Sequence, residues 1–474
     1  MTKEVKKICC IGAGFVGGPT MSVIAANCPD IEVNVVDINE ERIAKWNSED
    51  LSFLPIYEPG LNKIISSCRN SNLFFSTNII DNLKSADMIF ISVNTPTKTR
   101  GVGAGQASDL KWVEKSARQI SKYARSGTIV VEKSTLPVKT AQTINTILQY
   151  SKDNQIKNEE SKKFTVLSNP EFLSEGTAIN DLLNPDRVLI GGEDKESINT
   201  LMNIYLKWVS REKIFTTDLW SSELSKLIAN ALLAQRVSSI NSFSALCEKT
   251  GANIKDVSFA IGLDKRIGKF FLNAGPGFGG SCFKKDILNL IYICNHYGLK
   301  EVSSYWQKVL DINEWQKKRI INEIVNKLFG TITDKKLAIF GFAFKANTND
   351  TRESPSKYIC QKLLEEGAIL SIYDPKVSSN QIINDLYDEN YFEENSENYS
   401  KKVTISTNQN DAAEGADAII IMTEWEEFKN IDWEEIAKLM RSPSWLFDTR
   451  SICDLDKAEL AGINYWSVGY GKQN

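Results

Sequence analysis

A strand, a glycine-rich turn, a helix and a second strand closing on an acid fill the first 37 residues, and few folds accommodate that order. The apolar run from Lys7 to Ile11 passes directly into Gly12, Ala13, Gly14, Phe15, Val16 and Gly17. A helical stretch reaches Ala26, and residues 32–37 read as a strand ending at Asp37. GxGxxG alone is a weak signal, but in this setting each part has a purpose. Gly12 permits the tight turn, Gly14 lets a pyrophosphate approach the backbone, and Gly17 lets the helix pack on the strand. The N–H groups of the helix N-terminus point at the phosphates. Asp37 follows the third glycine by about 20 residues, where it would accept ribose hydroxyls and repel a 2′-phosphate, favouring NAD over NADP. Arg42 could hold such a phosphate, but the Asp charge would sit closer.

The pattern continues. Residues 88–93 form a strand leading into Asn94-Thr95-Pro96-Thr97; residues 128–131 lead into Glu132-Lys133-Ser134-Thr135-Leu136-Pro137; residues 164–167 lead into Ser168-Asn169-Pro170-Glu171-Phe172-Leu173. In each case a polar turn with Pro follows the carboxyl end of a strand, where open parallel sheets bind ligands. The charged stretch 152–163 reads as a surface insertion. From about 221 to 329 the pattern is helical, and Lys226 and Asn230 lie four apart on one face. A second α/β pattern starts at Gly330, with strands at 337–340, 368–374, 418–422 and 445–448. Its turn, Gly341-Phe342-Ala343-Phe344-Lys345, has one glycine and a lysine, which suits a nucleotide phosphate better than a full dinucleotide. The expected fold class is α/β: two Rossmann-like doubly wound domains, residues 1–215 and 330–474, joined by a long central helical segment, residues 216–329.

A chain of 474 residues exceeds one core. Its net charge of −4 argues against a nucleic-acid or membrane-surface binder, so anionic ligands must meet local Lys, Arg and N–H clusters. No apolar run approaches a membrane span. Nine cysteines, without metal-ligand spacing, point to reduced thiols and a cytoplasmic location. The one histidine, His296, falls at a helix end, so proton transfers are expected from carboxylates, Lys or water. Cys282 stands apart, because it ends the turn Gly277-Phe278-Gly279-Gly280-Ser281 and is followed by Phe283-Lys284-Lys285-Asp286. Neighbouring cations favour a thiolate, and a thiol beside a hydride acceptor can trap an aldehyde and carry the carbon on to an acid.

These motifs, together with residues 55–60 and Asp350-Thr351-Arg352-Glu353-Ser354, resemble the UDP-glucose 6-dehydrogenase family, within the UDP-glucose/GDP-mannose dehydrogenases, from Lys6 to the last strand near Tyr465. The resemblance implies a four-electron oxidation of the C6 alcohol of UDP-glucose to UDP-glucuronate with two NAD, through a Cys282 thiohemiacetal and thioester. It implies that Lys226 stabilises an oxyanion or exchanges the hydroxyl proton and that Glu171 is the general base of hydrolysis. Asp286, Thr135 and Asn230 would position the water and the sugar hydroxyl. For NAD it implies Gly12 to Gly17, Asp37, Arg42, Val93, Asn94, Thr95, Pro96, Thr97, Ser134, Thr135, Leu136, Glu175, Lys285 and Arg352. For the sugar nucleotide it implies Glu171, Phe172, Leu173, Lys226, Asn230, Asn273, Gly275, Gly277, Phe278, Gly279, Phe344, Lys345 and Arg450. Arg266 matches an arginine that reaches a neighbouring subunit's site, implying a homo-oligomer, a dimer or a hexamer built as a trimer of dimers. Asn273 departs from the Lys of animal members. A relative acting on UDP-N-acetylmannosamine or GDP-mannose, a two-electron dehydrogenase with a structural Cys282, and a catalytically silent nucleotide binder are the alternatives.

Overall fold

The structure, a computed structural model, describes residues 4–149, 162–387 and 402–471. All but the last two residues of the stretch 152–163 fall outside them. The chain divides into two compact units, Met1–Ala229 with Leu288–Gly298, and Asn230–Ile287 with Leu299–Asn474.

The first unit is built on eight strands: β1 (Lys7–Ile11), β2 (Glu32–Val36), β3 (Leu73–Ser76), β4 (Met88–Ile91), β5 (Ile129–Glu132), β6 (Thr165–Ser168), β7 (Val188–Gly191) and β8 (Ile214–Thr217). Their order is β3-β2-β1-β4-β5-β6-β7-β8, parallel except between β6 and β7. Alternation along β1 sends Ile8 and Cys10 into one core and Cys9 and Ile11 into another, so both faces of the sheet are covered. The strand order reverses between β1 and β4, and their carboxyl ends release residues 12–17 and 92–97. That switch point is where doubly wound sheets take their ligands.

The second unit carries a wholly parallel sheet of β9 (Lys336–Phe340), β10 (Ile369–Tyr373), β11 (Val403–Ile405), β12 (Ala418–Ile421), β13 (Trp445–Asp448) and β14 (Asn464–Ser467), ordered β11-β10-β9-β12-β13-β14. Its switch point falls between β9 and β12, beside residues 341–345. The strands β3, β7, β8 and β11 are additions to the sequence reading. Each has three or four residues.

Six helices matter for the site: α1 (Gly17–Asn27), α2 (Thr140–Gln149), α3 (Leu219–Thr250), α4 (Ile254–Gly262), α5 (Phe283–His296) and α6 (Lys300–Lys327). Among the described residues no helix is long and apolar enough to cross a membrane.

Candidate active site

In the first unit the glycine turn is fixed by sterics. Gly12 has φ 110°, and a Cβ there would lie 2.1 Å from the Ser92 carbonyl oxygen. A Cβ on Gly17 would lie 2.0 Å from the Gly12 carbonyl oxygen. At Gly14 nothing lies within 4 Å, so the backbone there is open to a ligand. The buried Ser92 hydroxyl, beside Gly17, finds no hydrogen-bond partner among the described residues. No acid stands in the first turn of α1 to oppose a phosphate. Asp37 accepts from the Ala13 and Asn39 amides, each at 2.9 Å, and from Arg42 Nη1 at 3.1 Å. Arg42 is thus engaged by the acid itself, and a 2′-phosphate would meet that carboxylate. The residues fit NAD.

The turns after β4 and β5 are tied together. Ser134 Oγ donates to the Val93 carbonyl at 2.8 Å, and Thr95 Oγ1 donates to the Thr135 carbonyl at 3.1 Å. Asn94, Pro96 and Thr97 continue the first turn, and Leu136 is buried in the second. Glu171 accepts from its neighbour's amide, Phe172 N, at 2.9 Å and from Lys133 Nζ at 2.8 Å. Lys133 is buried and also donates to Asn169 Oδ1 and to the Tyr205 hydroxyl. Burial pushes its ammonium down, and the Glu171 carboxylate and Tyr205 more than offset this, leaving it above the ordinary lysine value. Lys226, also buried, holds its ammonium 5.3 Å from the Phe172 ring centre. Glu58, far back in the sequence, accepts from Gly176 N at 2.7 Å and Ala178 N at 3.2 Å, which anchors the loop carrying Leu173 and Glu175.

In the second unit Cys282 is exposed, immediately before α5. A helix N-terminus and a nearby ammonium both favour a thiolate. Burial alone would lower the Lys285 ammonium, but Asp286 and then the Cys282 sulfur outweigh it and raise it. Asp286, 1% exposed, accepts from Lys285 Nζ at 2.8 Å and from Asn230 Nδ2 at 2.6 Å. The glycine loop before the thiol hangs on buried amides. Gly275 N donates to Asn241 Oδ1 at 2.8 Å, Gln316 Nε2 donates to the Gly275 carbonyl at 2.8 Å, and Phe278 N donates to Asn313 Oδ1 at 2.8 Å. A Cβ on Gly277 would meet Asn313 at 2.7 Å, and one on Gly279 would meet the Glu353 carbonyl at 2.6 Å. Phe344 packs against Gly279 and Gly280. Arg450 donates to the carbonyls of Phe344 and Met422, both at 2.8 Å, and pairs with Glu424 at 3.0 Å. Lys345 lies beside the Phe344 ring. Arg352 forks onto Asp350, while its carbonyl accepts from Gly280 N at 2.8 Å. Arg266 is exposed and forks onto Asp264, and Asn273 is exposed in the same loop. His296 is exposed at the end of α5.

Lys226 and Asn230 therefore share a buried face of α3, where a polar pair four apart is ordinarily solvated. Lys133, Asn169, Tyr205, Glu58, Asn241, Asn313 and Gln316 received no role from the sequence. Glu58, Lys133 and Asn169 lie within motifs; the others gave no local signal.

Comparison with known proteins gives the family. Residues 6–209 match the NAD binding domain of the UDP-glucose/GDP-mannose dehydrogenase family, residues 220–315 its central domain and residues 338–455 its UDP binding domain. The chain belongs to that family. It is an NAD-dependent oxidoreductase. It is 53% identical to UDP-glucose 6-dehydrogenase 1 of Glycine max, over 98% of this chain and 97% of that one. It is 54% identical to UDP-glucose 6-dehydrogenase of Bos taurus, over 99% and 94%. Among solved structures, a UDP-glucose dehydrogenase from the archaeon Pyrobaculum islandicum superposes with a TM-score of 0.82 at 28% identity, covering 99% of this chain and 98% of that one.

Proposed function

We propose that this member of the family oxidises the C6 alcohol of UDP-glucose to the carboxylate of UDP-glucuronate, using two NAD per sugar. The setting of Cys282 carries the reading: an exposed thiol at the N-terminus of α5, with the Lys285 ammonium acting on its sulfur. The names of the plant and animal relatives support the choice of sugar. When bound by residues 12–17, Asp37 and the turns after β4 and β5, NAD supplies the acceptor for each hydride. The Cys282 sulfur adds to the aldehyde carbon, and the new carbon–sulfur bond holds the intermediate as a thiohemiacetal that cannot escape; loss of its remaining C6 hydride and its hydroxyl proton leaves a thioester. Water later opens the thioester, returning the thiolate and releasing the acid. Glu171, held by Lys133, takes the water proton. Lys226 balances the charge that develops on the C6 oxygen. Asp286, oriented by Asn230 and Lys285, and Thr135 position the water and the hydroxyl. Lys345, Arg450 and the loop 273–279 hold the uridine diphosphate end.

The second unit also presents Leu232, Phe243, Leu246, Phe259, Leu263 and Phe270 as exposed apolar side chains on α3, α4 and the loop beyond. An apolar face of this extent suits a second copy of the chain, so the protein acts as a homo-oligomer. Nine cysteines without a disulfide suit the cytoplasm.

The test is stoichiometry. Purified protein given UDP-glucose and NAD is expected to form two NADH and one UDP-glucuronate per sugar. One NADH with accumulating aldehyde, or turnover only with UDP-N-acetylmannosamine or GDP-mannose, contradicts the reading.

A further inference from the structure

Two carboxyl groups lie buried in the first unit where neither the fold nor the proposed chemistry accounts for them. Glu132 ends β5 and is 2% exposed, and Glu223, near the start of α3, is 3% exposed. Glu223 Oε2 accepts from Lys139 N and its Oε1 from Ala141 N, both at 2.7 Å, so it holds the N-terminus of α2. Lys139 has φ 77°, an unfavourable region for a side chain with a Cβ, and that bond helps keep it there. Glu132 Oε2 is buried without a hydrogen-bond partner among the described residues. The Glu223 carboxyl stands close by: Ser222 Oγ donates to Ser168 Oγ at 3.0 Å, Ser168 is the sheet neighbour of Glu132, and the Glu223 charge acts on Glu132. Two carboxylates buried side by side cannot both stay ionised, and a carboxylate only accepts, so one of the pair keeps a proton that the other can receive in a hydrogen bond.

We propose that Glu132 and Glu223 share one proton, and that this proton fastens the Ser134–Thr135 turn to the part of α3 that carries Lys226. Glu132 stands three residues before Thr135, and Glu223 three before Lys226. The pair is a positioning device for those two groups, resting on the roles assigned to them above. The proton belongs to Glu132. Glu223 already has two amide donors and a helix N-terminus, which favour its charged form. Beside Glu132 in the sheet are Ile91 and Ser168, neither ionisable. The nearby ammonium groups are directed to other partners: Lys133 to Glu171, Lys139 to the Trp220 and Tyr297 rings, and Lys226 to the Phe172 ring.

Burial, and then the neighbouring Glu223 charge, push Glu132 well above the usual carboxylate range; burial also raises Glu223. The stability tied to this proton is therefore full below the ordinary carboxylate range. It falls as pH rises through the raised folded value.

The experiment compares wild type, Glu132→Gln and Glu132→Leu by melting temperature and by turnover of UDP-glucose, from about pH 6 to pH 10. Glutamine donates the same hydrogen bond without titrating. It is expected to flatten the alkaline fall in melting temperature and to carry kcat to higher pH, with KM for NAD within about twofold. Leucine is expected to lower kcat roughly tenfold across the range. Should the leucine variant fail to fold, the glutamine profiles decide. Superimposed wild-type and glutamine melting profiles would overturn the shared proton, and flattened melting with an unmoved kcat profile would overturn the positioning role. The melting arm needs no substrate, so a failure of the UDP-glucose reading leaves it intact and is seen separately as absent turnover in the wild type.

Discussion

Asp37 follows β2 and Asp374 follows β10, and each reaches back to the amides of the glycine turn after the first strand of its sheet. Asp37 accepts from Ala13 N, Asn39 N and Arg42. Asp374 accepts from Phe342 N, Ala343 N, Lys376 N, Val377 N and Trp425 Nε1. A carboxylate has about four lone-pair sites. Asp37 keeps capacity for a ribose hydroxyl, whereas Asp374 is saturated by its own fold. The turns differ in the same sense, since Gly14 is open and the second turn carries Phe344 and Lys345. One topology thus serves two ligands: the first half leaves its acid and backbone available for a dinucleotide. The second spends its acid on structure and offers cations to a diphosphate.

The largest effect that could break this comparison lies at the glycines. Gly12→Ala places a Cβ against the Ser92 carbonyl at a positive φ and is expected to destabilise by about 4 kcal/mol or prevent folding, measured by thermal melting. Gly14→Ala, with nothing in reach, is expected to melt normally while raising KM for NAD roughly tenfold. Equal melting of the two variants would show that the turn is not what holds the fold. Next, Asp374→Ala strands several buried amides and is expected to cost about 3 kcal/mol by denaturant titration, with Asp37→Ala costing roughly half that. The reverse order would remove the distinction between a structural and a ligand-facing acid. Lys345→Met is expected to raise KM for UDP-glucose about 30-fold and leave KM for NAD unchanged, because a charge-assisted phosphate contact contributes roughly 2 kcal/mol. A change confined to NAD would exchange the two sites. The smallest effect is one of labelling. Burial pushes Cys9 up to about 12 and Cys28 and Cys68 to about 11, while Cys282 is exposed. Iodoacetamide near neutral pH is expected to modify one thiol per native chain, counted by mass spectrometry, and prompt labelling of several would contradict the burial.

What could be read from the sequence was chemistry that acts over a few residues. Gly12, Gly14, Gly17 and Asp37 follow from a turn, a phosphate and a ribose, and Cys282 with Lys285 and Asp286 follows from adjacency. The rest depends on residues that meet only after folding. Glu171 stood in a recognisable turn, but its partner Lys133, set by Tyr205 on a distant helix, was not legible there. Asn241, Asn313 and Gln316 drew no reading from the sequence, yet all are buried and carry the glycine loop. Glu132 opens a quoted motif, but its pairing with Glu223 gave no signal, because a shared proton leaves no pattern in a chain.

Conversion of Cys282 to serine tests the central claim most directly, with NADH and product counted after UDP-glucose and NAD are mixed with the variant. The expected result is a fall in UDP-glucuronate formation of several orders of magnitude, with binding of both nucleotides kept, since serine lacks an ionisable thiol at this pH. Formation of UDP-glucuronate at a rate near that of the wild type would contradict covalent capture of the sugar carbon by this sulfur.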